Sequence, residues 1–241
     1  MKLIQIENRK NWGQSLKGQS PIFSIFWVWL ILNLCLGGSL FAITIPELQD
    51  GMKKTYLALN SVQFDYEQLA TSTLTTEMRV STGTLYFKKP RFVRIEQKSP
   101  EIQFIIANGK EVTLYTPRFH QAMIEPWDRW ANGNLLLMCL SGSLESLKTL
   151  EMEYEWTIVG DALLEKVPTW VVHLSPLNDK INLSLIRIWI SQENYTIRKV
   201  EWARESLKVE TTLNLFQKNP ELKKDLFQFK KDSNDELFYM E

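Results

Sequence analysis

Through the middle of the chain, apolar and polar residues alternate with a period of two, which predicts strands with one buried and one wet face. In GTLYFKKP, Leu85, Phe87 and Lys89 share one face and Tyr86 and Lys88 the other, until Pro90 stops the ladder. The run RFVRIEQ sets Val93 and Ile95 opposite Arg94 and Glu96. QFIIA and EVTLY follow, and Asn108-Gly109 between them offers the positive φ of a tight hairpin. Gly83 through Pro126 therefore predicts four short strands of a curved antiparallel sheet.

The period changes on either side of this block. Thr44-Ile45-Pro46-Glu47 resembles a capping box, and Leu48, Met52, Thr55, Tyr56 and Leu59 then recur at helical spacing, so a helix with one apolar stripe is expected to lie against the sheet. Val62, Phe64 and Tyr66 alternate with Gln63, Asp65 and Glu67 as the strand that follows it. Thr71 to Thr76 suggest a loop or the start of the next strand. Between Pro126 and Leu150, the positions of Trp127, Trp130, Leu135 to Leu140, Leu144 and Leu147 fit one or two short helices broken by Ser141-Gly142-Ser143. Strands return over Glu155 to Val159, Trp170 to Ser175, Leu183 to Ser191, Tyr195 to Ala203 and Lys208 to Gln217. In LSLIRIWI, Ile186, Ile188 and Ile190 face one way and Arg187 and Trp189 the other, with both faces mostly buried.

Composition narrows the class. The chain has 241 residues, 44% hydrophobic and 12% aromatic, enough for one well-buried domain. Its 28 basic and 28 acidic residues cancel, so no field attracts nucleic acid phosphates. Lys2, Arg9, Lys10 and Lys17 precede an apolar stretch from Ile22 to Leu36 and a small-residue end at Gly37 to Ala42, which reads as an export signal over residues 1–42. The alternative is a retained membrane anchor, since Ile22 to Ala42 just reaches the ~20 residues that span a bilayer. Leu34 is too large for a lipidation site at Cys35. Cleavage after Ala42 removes four basic residues and one acid, leaving 24 against 27 in a mildly acidic domain over 43–241. Cys139 would be the single thiol of that domain, a buried small hydrophobe in LLLMCL.

Parts for catalysis are scarce. His120 and His173 are the only histidines, and the sequence holds no HExxH, CxxC, GxSxG or phosphate-cradling loop. Glu151, Glu153 and Glu155 fall on one face at period two and read as a solvated strand face. The expectation is a protein that is not an enzyme and takes no metal or cofactor.

The order of Gly83, Lys89-Pro90, Arg94, Pro100, Asn108-Gly109-Lys110, Tyr115, Pro117 and Gln121 resembles the bacterial periplasmic carriers of outer-membrane lipoproteins, the LolA type. Phe64 to Gln68 resembles the aromatic-x-Gln first strand of that family, and Phe227-Gln228-Phe229 its closing F-x-F strand. The resemblance implies a mainly β fold with helices (α+β), an unclosed antiparallel β-barrel covered by an N-terminal helix and a helical lid. It also implies a monomeric periplasmic chaperone for acylated lipoproteins or other lipid cargo. Its partners would be an inner-membrane ABC release complex and an outer-membrane receptor. An envelope sensor or accessory lipid-binding module on the same fold is the alternative. An acyl cavity lined by Tyr66, Leu85, Phe87, Val93, Ile95 and Ile105 is expected, sealed by Leu136, Leu137, Met138 and Leu140 of the lid. The family commonly has arginine where Lys89 stands, tying lid to barrel. Here Lys89 or Arg91 is expected to serve as that latch or to touch a ligand head.

Overall fold

The structure is a computed structural model and describes residues 43–72, 74–131, 144–178 and 185–240. The export-signal reading over 1–42 lies outside them.

Among the described residues, twelve strands form one sheet. The first six are β1 (Ser61–Ser72), β2 (Met78–Lys88), β3 (Phe92–Ser99), β4 (Gln103–Asn108), β5 (Glu111–Thr116) and β6 (Gln121–Pro126). The second six are β7 (Tyr154–Leu164), β8 (Val167–Pro176), β9 (Leu185–Ser191), β10 (Ile197–Arg204), β11 (Leu207–Lys218) and β12 (Glu236–Tyr239). Their spatial order is β12-β6-β5-β4-β3-β2-β1-β11-β10-β9-β8-β7, so β12 and β7 are free edges and the sheet does not close. Every pairing is antiparallel except that of β12 with β6. Between β4 and β5, Gly109 sits at φ 94° and the Asn108 carboxamide oxygen accepts from the amides of Lys110 at 3.0 Å and Glu111 at 3.1 Å, which fixes the hairpin.

Three α-helices among the described residues, α1 (Ile45–Ala58), α2 (Trp127–Ala131) and α3 (Leu144–Glu153), belong with the sheet. The Thr44–Glu47 capping box forms as expected, with the Thr44 amide donating to Glu47 Oε2 at 2.9 Å. Leu48, Met52, Tyr56 and Leu59 are buried, each worth roughly 1.5–3 kcal/mol of apolar transfer. Gly51 seats α1 on the turn after β9, where a Cβ would lie 2.2 Å from the Tyr195 ring. Thr55 Oγ1 donates to Asn194 O at 3.0 Å in the same turn.

The main core joins α1 residues to Val62, Phe87 and Val93 from one half of the sheet and Val172, Ile186 and Ile188 from the other. Laid flat, twelve strands at ~4.8 Å spacing would span about 50 Å, so one contiguous core requires the sheet to curl around α1. Ile186, Ile188 and Ile190 point into that core, while Arg187 and Trp189 are half-buried on the convex face.

Several sequence expectations change. The Gly83–Pro126 block contains a further strand, β6, and β1 runs on to Ser72 before the turn. Glu151 and Glu153 close helix α3 while Glu155 lies in β7, so the three carboxylates do not share a strand face. Residues 195 and 196 belong to the turn before β10, with Tyr195 at φ 57°. Phe227-Gln228-Phe229 is not a strand.

Those phenylalanines anchor a strap instead. After β11 the chain crosses the convex face. Lys88 Nζ donates to Leu222 O at 2.6 Å and Arg94 Nη1 to Leu226 O at 3.1 Å. Phe227 packs on Phe92 and Phe229 on Tyr115, with ring centroids 5.6 and 5.0 Å apart. The path ends in β12, the edge strand beside β6. Ile106, Ile124, Leu222 and Phe227 are buried here, apart from the main core.

Candidate functional site

Strand register arranges the concave face of β1 to β4 in transverse rows. Val62, Phe87, Val93 and Ala107 form the row nearest the C-terminal end of α1. Phe64, Leu85, Ile95 and Ile105 form the next, and Tyr66, Gly83, Gln97 and Gln103 the third. The first row is at most 3% exposed, Ile95 and Ile105 of the second are partly exposed, and Tyr66, Gln97 and Gln103 of the third are half-buried. The core thus opens row by row toward the β1–β2 turn.

Where it opens lies a hollow of about 130 Å³ lined by Tyr66, Gln68, Leu85, Ile95, Gln97, Gln103 and Ile105. Four expected cavity residues, Tyr66, Leu85, Ile95 and Ile105, meet there. Phe87 and Val93 lie on the same face one row further in and fill the core, because α1 covers them. Leu136, Leu137, Met138 and Leu140 lie outside the described residues.

Tyr66 is shaped by its neighbour. A Cβ on Gly83 would lie 2.3 Å from Glu96 O and 2.7 Å from the Tyr66 hydroxyl, so the phenol crosses the one position of the row without a side chain. Burial pushes the phenol up to about 12. Gln68 Nε2 donates to Thr211 Oγ1 at 3.1 Å, and Gln97 Nε2 to Glu101 O at 2.9 Å. Sequence reasoning passed over the three glutamines, although Gln68 is two residues beyond Tyr66, Gln97 two beyond Ile95 and Gln103 two before Ile105.

Of the two latch candidates, Lys89 reaches α1. Its ammonium donates to Tyr56 O at 2.7 Å and its amide to Asn60 O at 2.9 Å, giving a cation to a helix end with no basic residue in its last turn. Burial lowers its pKa. Arg91 reaches the helical segment after β6, with Nη1 3.2 Å from Asp128 Oδ1 in α2. That segment also contributes to the core. The Trp127 and Trp130 rings lie tilted to one another with centroids 5.7 Å apart, Leu147 and Leu150 are buried, and Trp156 Nε1 donates to Leu150 O at 3.2 Å.

The histidines stand elsewhere. His173 sits on the convex face opposite Arg187. His120 Nδ1 lies 3.4 Å from Asp235 Oδ1, a buried carboxylate that also accepts from the Tyr115 hydroxyl at 2.9 Å and the Asp232 amide at 2.8 Å. Those donors, the Asp232 amide foremost, hold it below the usual carboxylate range and fasten the strap. Among the described residues no group of three or more His, Cys, Asp or Glu side chains could hold a metal ion.

Residues 58–230 match the family model described as outer membrane lipoprotein carrier protein LolA. The chain belongs to this family. An outer-membrane lipoprotein carrier protein of Nitrosomonas europaea is 24% identical over 205 residues, 83% of this chain and 91% of that one. The carrier protein of Pasteurella multocida is 29% identical over 111 residues, 46% of this chain, and the match spans about half of the relative, 52%. Among solved structures, an uncharacterized conserved protein from Thermus thermophilus superposes with a TM-score of 0.55 at 14% identity, over 81% of this chain and 98% of that one. That likeness concerns the fold. The family's unclosed, mainly β architecture agrees with the twelve-stranded open sheet.

Proposed function

We propose that this chain is a periplasmic chaperone that shields the acyl chains of lipoproteins and carries them from the inner to the outer membrane. In this reading it is made with an export signal and works by binding, with no reaction of its own. The observation that carries the reading is the largely apolar hollow where the concave face of β1 to β4 opens, lined by Tyr66, Leu85, Ile95 and Ile105. The hollow is small. A dry cavity of 150 Å³ takes a molecule of about six carbons, and burying about six methylenes contributes ~5 kcal/mol, an affinity on the order of 0.1 mM before ordering costs. Holding a whole acyl chain therefore requires α2 or α3 to give way, so that cargo replaces core side chains such as Trp127, Leu147 and Leu150. Such exchange of one apolar partner for another keeps net affinity moderate, as release to a receptor demands.

The test is retention of an acylated lipoprotein, and of a fluorescent fatty-acyl probe, by the purified folded protein. Micromolar binding with Trp127 and Trp130 fluorescence changing on loading is expected. Absence of binding to both ligands, with the fold intact by circular dichroism, would overturn the carrier reading.

A further inference from the structure

We infer that the mouth of the hollow is a subsite for an uncharged, carbonyl-bearing head, an ester or amide at the end of a fatty acyl chain, and that it holds the chain in one direction. The inference rests on the carrier reading and adds the class and orientation of the cargo.

The rows of β1 to β4 supply the direction. Val62, Phe87 and Val93 are closed and wholly apolar. Leu85, Ile95 and Ile105 remain apolar and begin to open, and the next row brings Gln97 and Gln103 side by side as a cross-strand pair. Two rows, about 13 Å of strand, turn hydrocarbon into amide. The tail of a bound chain therefore points toward the end of α1 and its head toward the β1–β2 turn.

The chemistry of the mouth supplies the class. A carboxamide nitrogen has two donors. Gln68 and Gln97 each spend one, on Thr211 and Glu101, and the Gln103 side chain makes no hydrogen bond with a described residue. Spare N–H groups thus border the hollow beside Leu85, Ile95 and Ile105, where an ester or amide carbonyl would accept them. No lining residue is charged. On β2 the concave face next carries a cation at Arg79, four residues from Gly83 and roughly 13 Å along the strand. A carboxylate or phosphate at the glutamines would lack a counter-charge, whereas a neutral carbonyl would not need one.

The experiment uses the full purified chain and three ligands of equal chain length: monopalmitoylglycerol, palmitate at about pH 8 where its carboxyl is ionised, and hexadecane. Each competes with a fluorescent acyl probe. Monopalmitoylglycerol is expected to bind about tenfold tighter than palmitate. The double variant Gln97→Leu with Gln103→Leu is expected to lose that preference while binding hexadecane as well as or better than the parent. Should the double variant fold poorly, Gln103→Ala alone gives the same comparison, and nuclear magnetic resonance of the parent follows the glutamine side-chain amides directly. Shifts of the Gln97 and Gln103 amides with monopalmitoylglycerol, absent with hexadecane, support the subsite. Equal affinities, tighter palmitate, or unmoved amides overturn it and leave the carrier reading standing. A probe that binds but is displaced by none of the three overturns the subsite alone, and failure of both the probe and an acylated lipoprotein to bind overturns both.

Discussion

At the residue scale, Gly83 and Tyr66 behave as one unit. A methyl at Gly83 meets a carbonyl oxygen that cannot rotate away, so Gly83→Ala is expected to destabilise by about 1–3 kcal/mol through overpacking. Chemical denaturation measures it, and Tyr66→Ala in the same background should recover only the part due to the ring. Tyr66 also gives a pH signature. Its phenol is raised from 10.0 to about 12, so the folded state keeps its proton where the unfolded chain loses it. That contribution to stability is whole below pH 10 and is lost as the pH rises through about 12. The denaturation midpoint of the parent is expected to fall faster across this window than that of Tyr66→Phe, and parallel curves would refute the burial. The apolar lining was legible, because alternation assigns Leu85, Ile95 and Ile105 to one face. The glutamines were not, since polar residues in a strand ordinarily signal solvent. Nor was the partner of Lys89, which depends on where the end of β2 meets the end of α1.

At the element scale, the start of α1 was readable. Thr44, Pro46 and Glu47 encode its start by local hydrogen bonding, and Thr44→Ala is expected to lower stability by about 1 kcal/mol, measured by thermal unfolding. Elements whose reason for existing is tertiary were missed. β6 is short, ends in Pro126 and holds its place through β5 and β12. Phe227 and Phe229 carry the alternation of a strand but serve aromatic neighbours beneath them, a distinction period alone cannot make. Helix α3 was expected to end by Leu150, yet the carbonyl of Leu150 is satisfied by Trp156 from the following strand and the helix runs on to Glu153. The bridge from Arg91 to Asp128 is exposed, so Arg91→Ala should change stability by no more than ~0.2–1 kcal/mol. A larger loss would mean that α2 depends on that pair more than its geometry indicates.

At the scale of the whole molecule, the strap divides the sheet into unlike halves. The convex side of β2 to β6 is backed by Phe227, Leu222 and the Asp235 fastening, whereas that of β9 to β11 carries a charge network of Arg187, Glu201, Lys208, Glu210 and Lys199. Phe227→Ala empties a fully buried site and is expected to remove about 3–5 kcal/mol, more than Phe229→Ala, which a pair of urea titrations would compare. The ordered signatures along the sequence were enough to indicate this architecture, since they record turns and strand ends. The division of the sheet was beyond them, because it arises from a tail folded back over strands more than a hundred residues earlier in the chain.

A fully closed barrel has a girth set by its strand number and shear, and it can widen only by breaking ladder bonds. Here β7 and β12 are two unjoined lips. The ring can spread or tighten by altering twist across many strands, each ladder intact, and the work of admitting a thicker load then falls on bending rather than rupture.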